Sequence, residues 1–271
     1  IDWGDGSPNT VSTENGDSKI EIIHTYSVAG TYIVTINGQC RNFRYNAASG
    51  YDVLKKIIQI GDVSFSLDEA FRGCYGLTDI NGAIIDSPYI YNADSMFYMC
   101  TNITTIPPNM ITNSNLTAIN YMFAGCNKLT SIPSGFFTGT NISVANYVFR
   151  DCTALTLIPA DIFQSSNLYN VNYMFSGCWM ITDIPEGIFQ NTPIVYANYF
   201  MNNGGLTSIP AGLFTNTLVT SISYAFAGNI DINTTIPEYW NLPNKTWSST
   251  SKCFNGCTNA LNYASIPTTW K

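Results

Sequence analysis

The residues that could catalyse a reaction are few and lie far apart in this chain. His24 is the only histidine, so it is the one imidazole that could activate a serine or cysteine nucleophile. Most cysteines lie in a distant, repetitive part of the sequence. Among the scattered carboxylates, Asp161 and Glu186 come nearest to a glycosidase acid pair, because they occupy nearly equivalent turn positions in successive repeats. We expect neither to be catalytic. The sequence therefore predicts a protein that is not an enzyme and uses no cofactor.

Two aspartates near the start of the chain are the candidate metal ligands. Asp2 and Asp5 flank a tight Asp-Gly turn, and two carboxylates on such a turn could ligate a hard cation such as calcium. Aspartate also forms turns without any metal, by bonding its own backbone. Turn formation is the favoured interpretation, and calcium remains the alternative.

Most of the chain repeats a pattern of about 26 residues, in which a cysteine follows a phenylalanine by three positions. We call the phenylalanine position the anchor and number other positions by their offset from it. The anchors are Phe71, Phe97, Phe123, Phe149, Phe175, Met201, Phe226 and Phe254. The first five repeats in succession carry cysteine at +3: Cys74, Cys100, Cys126, Cys152 and Cys178. A fixed period of this length indicates a solenoid, in which stacked repeats share one core.

The spacing of these five cysteines predicts their chemical state. Residues at one position of successive repeats form a ladder with a rise of roughly 4.8 Å, the strand spacing. A cysteine stacked on identical neighbours in a core behaves as a small buried hydrophobe with an S–H to donate. We predict reduced, buried thiols. Disulfides between adjacent repeats are the alternative.

Each repeat carries its own turn and strand signatures. Position −3 holds Asp, Asn or Ser, which are good helix N-caps. Position +2 is mostly Gly, with Asp151 and Asn203 as exceptions, and such residues tolerate the left-handed conformation that ends a short helix. The Leu-Thr-x-Ile-Pro segment that follows, as at 129–133, predicts a short parallel strand that proline ends. The fold class is therefore mainly β with short helical turns.

Residues 54–271 resemble the BspA-like leucine-rich repeats of bacterial surface proteins. The resemblance rests on the Met-Phe-x-Gly-Cys and Leu-Thr-x-Ile-Pro elements. It implies a leucine-rich-repeat solenoid at an extracellular or cell-surface location. Two departures are that Gly204 replaces the cysteine of its repeat and that Phe175 and Phe226 are 51 rather than 52 positions apart.

The first part of the chain has a different character. Trp3-Gly4-Asp5-Gly6 and His24-Thr25-Tyr26, together with predicted strands at 19–26 and 31–37, resemble a partial PKD domain, a small immunoglobulin-like β-sandwich. We therefore predict three segments. They are a partial PKD-like domain at 1–45, a linker and N-terminal solenoid cap at 46–67, and the solenoid with its C-terminal cap at 68–271.

Composition narrows the choice of partner. Only 11% of residues are charged, against about 25% in an average protein, and the net charge is −7. No basic patch is available for phosphates, which argues against nucleic acid. No apolar run approaches the roughly 18 residues of a membrane span in this segment. Polarity comes from Asn, Thr, Ser and Tyr, which suits an extracellular protein or glycan recognised by hydrogen bonds and stacking.

Five successive repeats carry tyrosine at position −2, and these are the candidate binding residues: Tyr121, Tyr147, Tyr173, Tyr199 and Tyr224. Other repeats accept Glu69, Ser95 or Lys252 there, so the position should be partly exposed. The tyrosines could bind a ligand by stacking, or could pack on one another and shield the repeat edges. If they bind nothing, the next candidate is the threonine face, which lies at +7, or at +6 in the Met201 repeat, which is one residue short. The residues of this face are Thr104, Thr130, Thr156, Thr182 and Thr207.

These observations favour a non-enzymatic extracellular adhesion or recognition module that binds protein or glycan. The alternative is a structural fibre or phage-tail appendage, in which the solenoid is a rigid spacer or a receptor-binding tip. The expected location is extracellular, at a cell surface or a virion surface.

Overall fold

The computed structural model divides the chain into two compact units, Ile1–Cys40 and Arg41–Lys271. The structure describes residues 1–11, 24–28, 30–36, 44–45, 54–60, 66–112 and 115–271. In these residues the only helices are three 3-10 helices of three residues each: Tyr239–Asn241, Tyr263–Ser265 and Thr268–Trp270. Single turns of this length cannot cross a membrane.

The first unit is held together by aromatic contacts and one bridge. Asp2 pairs with Thr35 in an antiparallel bridge. The rings of Trp3 and His24 stack at 4.6 Å, and Tyr26 donates its hydroxyl to the Trp3 carbonyl at 3.1 Å. Positions 19–23 and 37 of the two predicted strands lie outside the described residues. The described remainder forms the bridge at Thr35 and no longer strand.

In the second unit, parallel pairing occurs at a different place from the one predicted. The described residues pair as isolated bridges at position −5: Asn92, Ala118, Val144, Asn170, Tyr196, Ser221 and Ser249. Further parallel bridges join Lys56 to Asp79 and Ile85 to Ile111. The prediction of strands at Leu-Thr-x-Ile is therefore wrong, although single bonds occur there, such as Thr130 N–H to the Thr104 carbonyl at 3.1 Å.

The pairing stops after one residue because the anchor segment uses its hydrogen bonds differently. The N–H groups at −2, 0 and +2 all donate to carbonyls of the next repeat, so they form three columns along the stack. In the Phe123 repeat, Tyr121 donates to Asn146 at 3.0 Å, Phe123 to Val148 at 2.9 Å, and Gly125 to Arg150 at 2.7 Å. The same three bonds occur at every junction between successive anchors from the first to the last.

Peptides aligned in this way require left-handed residues on both sides of the anchor. The φ angle at +2 is positive in all eight repeats, as predicted for the Gly, Asp and Asn residues there; Met99, at 62°, was not predicted. The φ angle at −2 is also positive in all eight, between 54° and 62°, and the sequence did not predict this. Between these residues, local i→i+3 bonds close short turns, for example Cys126 N–H to the Phe123 carbonyl at 3.1 Å. The predicted short turns at the anchors are confirmed.

The residues at −3 join repeats instead of capping their own turns. Asp94 accepts the backbone N–H of Asn120 at 2.5 Å, and Asn120 accepts that of Asn146 at 3.0 Å. Asn172 likewise accepts from Asn198 at 2.8 Å. The N-cap prediction is wrong for these residues, because their own turns already bond to the next repeat.

The core runs through the stack as columns of identical side chains. Every anchor is buried, and neighbouring anchor rings stack at 5.5–5.9 Å from Phe71 to Phe175. The last anchor, Phe254, stacks on Trp270 at 6.0 Å. The helix Thr268–Trp270 also supplies the carbonyls of Thr269 and Trp270 to the N–H groups of Lys252 and Phe254. This helix therefore closes the C-terminal end of the array.

Candidate functional site: the tyrosine column

The five candidate tyrosines form one continuous stack, which we call the tyrosine column. Neighbouring ring centroids lie 4.2–4.7 Å apart, with interplanar angles between 5° and 13°. Each ring is partly exposed. The hydrogen-bond columns set this geometry, because they fix each position −2 one repeat above the last.

This stacking decides which part of each ring a ligand could reach. Both faces of Tyr147, Tyr173 and Tyr199 contact neighbouring tyrosines. At the C-terminal end, the ammonium of Lys252 lies 5.8 Å from the Tyr224 ring centre. A ligand ring cannot stack on each tyrosine in turn, as the sequence suggested. A partner would meet ring edges and phenol hydroxyls.

The environment of the column favours the neutral phenol at two of its positions. Burial is the main cause that raises the pKa of Tyr121 and of Tyr173 above the usual value. Neighbouring tyrosines add to the shift, because they accept hydrogen bonds from the protonated phenol and because two phenolates side by side repel each other. At Tyr121 and Tyr173 the exposed edge of the column therefore presents uncharged hydroxyls, which can donate and accept hydrogen bonds.

The cysteine column is structural. All seven described cysteines are free thiols and buried, so the prediction of reduced thiols is confirmed for them. The five thiols at +3 that have an anchor repeat before them donate to the carbonyl of that anchor, as Cys126 does to Phe97 at 3.3 Å and Cys152 to Phe123 at 3.2 Å. Burial raises the pKa of these two thiols. Neutral thiols paired to backbone are poor nucleophiles.

Asn229 lies at position +3 of the Phe226 repeat, where most repeats carry cysteine. Its side chain also forms hydrogen bonds with the preceding Met201 repeat, which is one residue shorter than the others. Asn229 is fully buried, and its Nδ2 donates to the carbonyls of Met201 and Phe226, both at 2.8 Å. Its Oδ1 accepts the N–H of Leu206 at 3.1 Å. Gly204 has no side chain to offer there, and Asn229 extends into that space.

The two candidate calcium ligands are already engaged with donors. Asp2 Oδ1 accepts the N–H of Gly4 at 2.9 Å. Asp5 Oδ1 accepts the N–H of Ser7 at 3.0 Å, and its Oδ2 lies 2.8 Å from His24 Nε2. Hydrogen bonds from Ser7 and His24 lower the pKa of Asp5 to about 2. Donors on both oxygens compete with a cation, and the calcium alternative stays a prediction.

The remaining candidates show no catalytic arrangement in the described residues. The Ser134 hydroxyl donates to Asp161 and lowers the pKa of that carboxyl, whereas a general acid needs a raised one. On the threonine face, the Thr130 hydroxyl donates to the Thr104 carbonyl at 3.1 Å. No three His, Cys, Asp or Glu side chains of the described chain converge as a metal site requires.

Comparison with known proteins identifies the repeat. The sequence matches the BspA type leucine-rich repeat region in six copies, over residues 26–156, 94–233 and 137–259. A crystal structure of a leucine-rich repeat protein from Bacteroides ovatus ATCC 8483 aligns with 85% of this chain and 85% of that chain. The identity is 13% and the TM-score is 0.20. No curated protein matches the sequence.

Proposed function

Because this chain belongs to the BspA-type leucine-rich-repeat family, we propose that it is a non-enzymatic extracellular recognition module. Its repeats form a rigid solenoid that binds a protein or glycan at a cell surface. The uncharged, hydroxyl-rich surface supports such a partner, since 11% charged residues leave hydrogen bonding and aromatic contacts as the available means of recognition.

The proposed organisation follows the sequence. Residues 1–45 are a partial PKD-like domain, 46–67 are a linker and cap, and 68–271 are the solenoid. The bridge between Lys56 and Asp79 supports a capping role for the segment before the first anchor. The division of the chain after Cys40 supports a separate N-terminal domain.

The observation that carries the proposal is the energetic balance of the tyrosine column. A left-handed non-glycine residue costs roughly 1–2 kcal/mol, and all five tyrosines have φ between 55° and 62°. Ring stacking returns about 0.5–1.5 kcal/mol for each pair. Five such residues and four stacked pairs give a backbone cost of about 5–10 kcal/mol against a stacking gain of about 2–6 kcal/mol, so stacking alone gives little reason for tyrosine at five successive repeats. Binding at the exposed edge supplies one.

The test removes three rings while keeping the backbone conformation. Tyr147, Tyr173 and Tyr199 are replaced together by Asn, which tolerates the left-handed region. Binding is then measured against immobilised glycans and extracellular matrix proteins. We expect the variant to remain folded and to lose binding by roughly a hundredfold, at about 1 kcal/mol for each phenol hydroxyl that bonds the partner. Wild-type binding should change little with salt, because few charges lie near the column.

The control replaces Thr130, Thr156 and Thr182 on the threonine face by Ser and should bind normally. A folded tyrosine variant with full affinity would contradict a binding role for the column. Loss of binding in the threonine variant would place the site on that other face.

The second candidate function, a spacer in a fibre or phage-tail appendage, is favoured by the unbroken hydrogen-bond columns. Three bonds of 2.7–3.0 Å at each junction make a stiff rod. A spacer would retain this stiffness but bind none of the panel. Wild-type binding in the same assay therefore separates the two functions.

A further inference from the structure

A cleft of about 270 Å³ opens beside the N-terminal end of the tyrosine column. It arises from one small residue at position +1. Tyr98 and Arg150 hold that position in two repeats, and Ala124 lies at it in the repeat between them. The Ala124 methyl group is buried, and the large side chains on either side leave a gap above it.

The cleft is lined by Tyr121, whose N-terminal ring face is not covered by another tyrosine of the column. The faces of the central rings of the column are covered by their neighbours. Tyr121 is the first ring of the column, and the preceding repeat has Ser95 at position −2. No tyrosine of the column therefore stacks on the N-terminal face of Tyr121. Instead, Tyr98 lies perpendicular to it, with ring centroids 6.3 Å apart and an angle of 83°. Both rings line the cleft.

The opposite side of the cleft carries a fixed pair of charges. Arg150 Nε lies 3.1 Å from Asp151 Oδ2, and the two side chains are 45% and 53% exposed. The guanidinium also lies over the Tyr147 ring, at 5.8 Å from its centre. Arginine has five N–H donors and a carboxylate has about four acceptor positions, so the pair keeps donors and acceptors for a ligand. Its net charge is zero.

An amide completes the set of polar groups. The hydrogen bonds orient Asn127 so that Nδ2 donates to the carbonyls of Gly125 at 2.8 Å and Asp151 at 3.1 Å. The amide oxygen remains as a further acceptor at the edge of the cleft.

We propose that this cleft binds one ring of a neutral saccharide. Aromatic surface suits the C–H face of a pyranose, while a guanidinium, a carboxylate and an amide together suit adjacent hydroxyls. The neutral Arg150–Asp151 pair favours neither an acidic sugar nor a basic peptide. The volume is below the roughly 300–1,000 Å³ of pockets for drug-sized ligands, which suits a single ring. The proposal deepens the proposed function, on which it rests, by assigning a ligand class.

The experiment measures binding of free cellobiose, lactose, mannobiose and diacetylchitobiose to the full chain by ligand-observed saturation-transfer NMR. Sialyllactose and a tri-arginine peptide represent acidic sugars and basic peptides. We expect at least one neutral disaccharide to bind with a Kd on the order of 1 mM, given about 0.3 kcal/mol for each heavy atom of a single ring.

Two variants locate the site. Ala124→Arg fills the cleft with a residue that the same position carries in Arg72 and Arg150, and we expect no measurable binding. Ala227→Arg is the matched control, because Ala227 is also at +1 and equally buried but lies far along the array; it should bind as the wild type does. Arg150→Gln changes only an exposed side chain, and it should weaken binding roughly tenfold.

Several results would overturn the proposal. Unchanged affinity in Arg150→Gln together with a folded Ala124→Arg that still binds would place the saccharide elsewhere. Binding only of sialyllactose or of the peptide would refute the ligand class. If no saccharide binds but a matrix protein does, and the tyrosine variant loses that protein, the cleft proposal fails while the proposed function stands.

Discussion

The carboxylate of Asp151 lies directly over the bare Cα of Gly177 in the next repeat. Met99 covers Gly125 and Asn203 covers Gly228 in the same way. Position +2 therefore alternates between a side chain and a glycine that makes room for it, through seven consecutive repeats. The residues in order are Gly73, Met99, Gly125, Asp151, Gly177, Asn203 and Gly228. In this column the structural unit is a pair of repeats.

Gly177→Ala tests this pairing. A Cβ there would overlap Asp151 Oδ1, whereas a Cβ at Gly73 meets nothing closer than 4.0 Å. Both glycines have positive φ, so alanine at either should cost about 1–2 kcal/mol of unfolding free energy. Gly177→Ala should cost about 1 kcal/mol more, because Asp151 must move away from Arg150. Urea denaturation measures both values.

Adding Asp151→Gly should remove the excess cost of Gly177→Ala. Equal losses of unfolding free energy for alanine at Gly177 and at Gly73 would show that Asp151 can move away from the added Cβ without destabilising the protein.

Phe149→Ala should destabilise the array by about 3–5 kcal/mol, since the central anchor is fully buried between two stacked rings. Leu157→Ala is the control, because Leu157 is 53% exposed and should change stability by no more than about 0.5 kcal/mol. Chemical denaturation compares the two. Similar stability in both variants would mean that the anchor is not core.

Asn229→Leu should cost about 3 kcal/mol, because the Met201 carbonyl and the Leu206 N–H lose their partner inside the core. Asn229→Cys restores the common residue and can donate to Met201, so it should cost about half as much. Thermal melting of both, beside the exposed Asn255→Leu, checks the order. A cysteine variant as stable as the wild type would show that the bond to Leu206 contributes nothing.

Stability should fall in mildly alkaline solution. Burial raises the pKa of Cys178 and raises that of Cys257 to about 12, against about 8.5 for a cysteine in an unfolded chain. The unfolded state therefore releases these protons first. The contribution to stability is complete below about pH 8.5 and declines as the pH rises toward the folded values. Tm measured from neutral to alkaline pH should show this decline.

Cys178→Ala should make the decline shallower. A Tm that is constant up to about pH 10 would contradict the role of the buried thiols. Thiol titration gives an independent check, because reagent should modify few groups before unfolding.

The sequence predicted the repeat, the anchors and the buried thiols because each depends on one side chain recurring at one spacing. It also predicted the left-handed residues at +2, where glycine is common. It missed those at −2, since nothing in the preferences of Tyr, Glu or Lys indicates a positive φ. At −2 the hydrogen bonds between repeats determine the backbone conformation. The predictions of strands at Leu-Thr-x-Ile and of N-caps at −3 were wrong for the same reason, because single residues do not reveal bonds between repeats.

The candidate site was predicted in part. Five tyrosines at one position identified the column, but their spacing equals the distance for ring stacking, so the rings cover one another. The cleft depends on Ala124 being small between Tyr98 and Arg150. That contrast is visible only when position +1 is compared across repeats.

The one-way hydrogen bonding of the anchor segment gives the array an electrical polarity. Each peptide carries a dipole of about 3.5 D, and those of an α-helix add up to roughly half a charge at each end. Here three columns of peptides direct every N–H toward the C-terminal repeats. These three columns therefore resemble a helix macrodipole laid along the stack, but with the positive pole at the C-terminal end. Bonds in the opposite direction, such as Thr130 N–H to the Thr104 carbonyl, offset part of this dipole. The anchor columns are continuous from the first anchor to the last, so they bias the field at the two ends of the array in opposite senses.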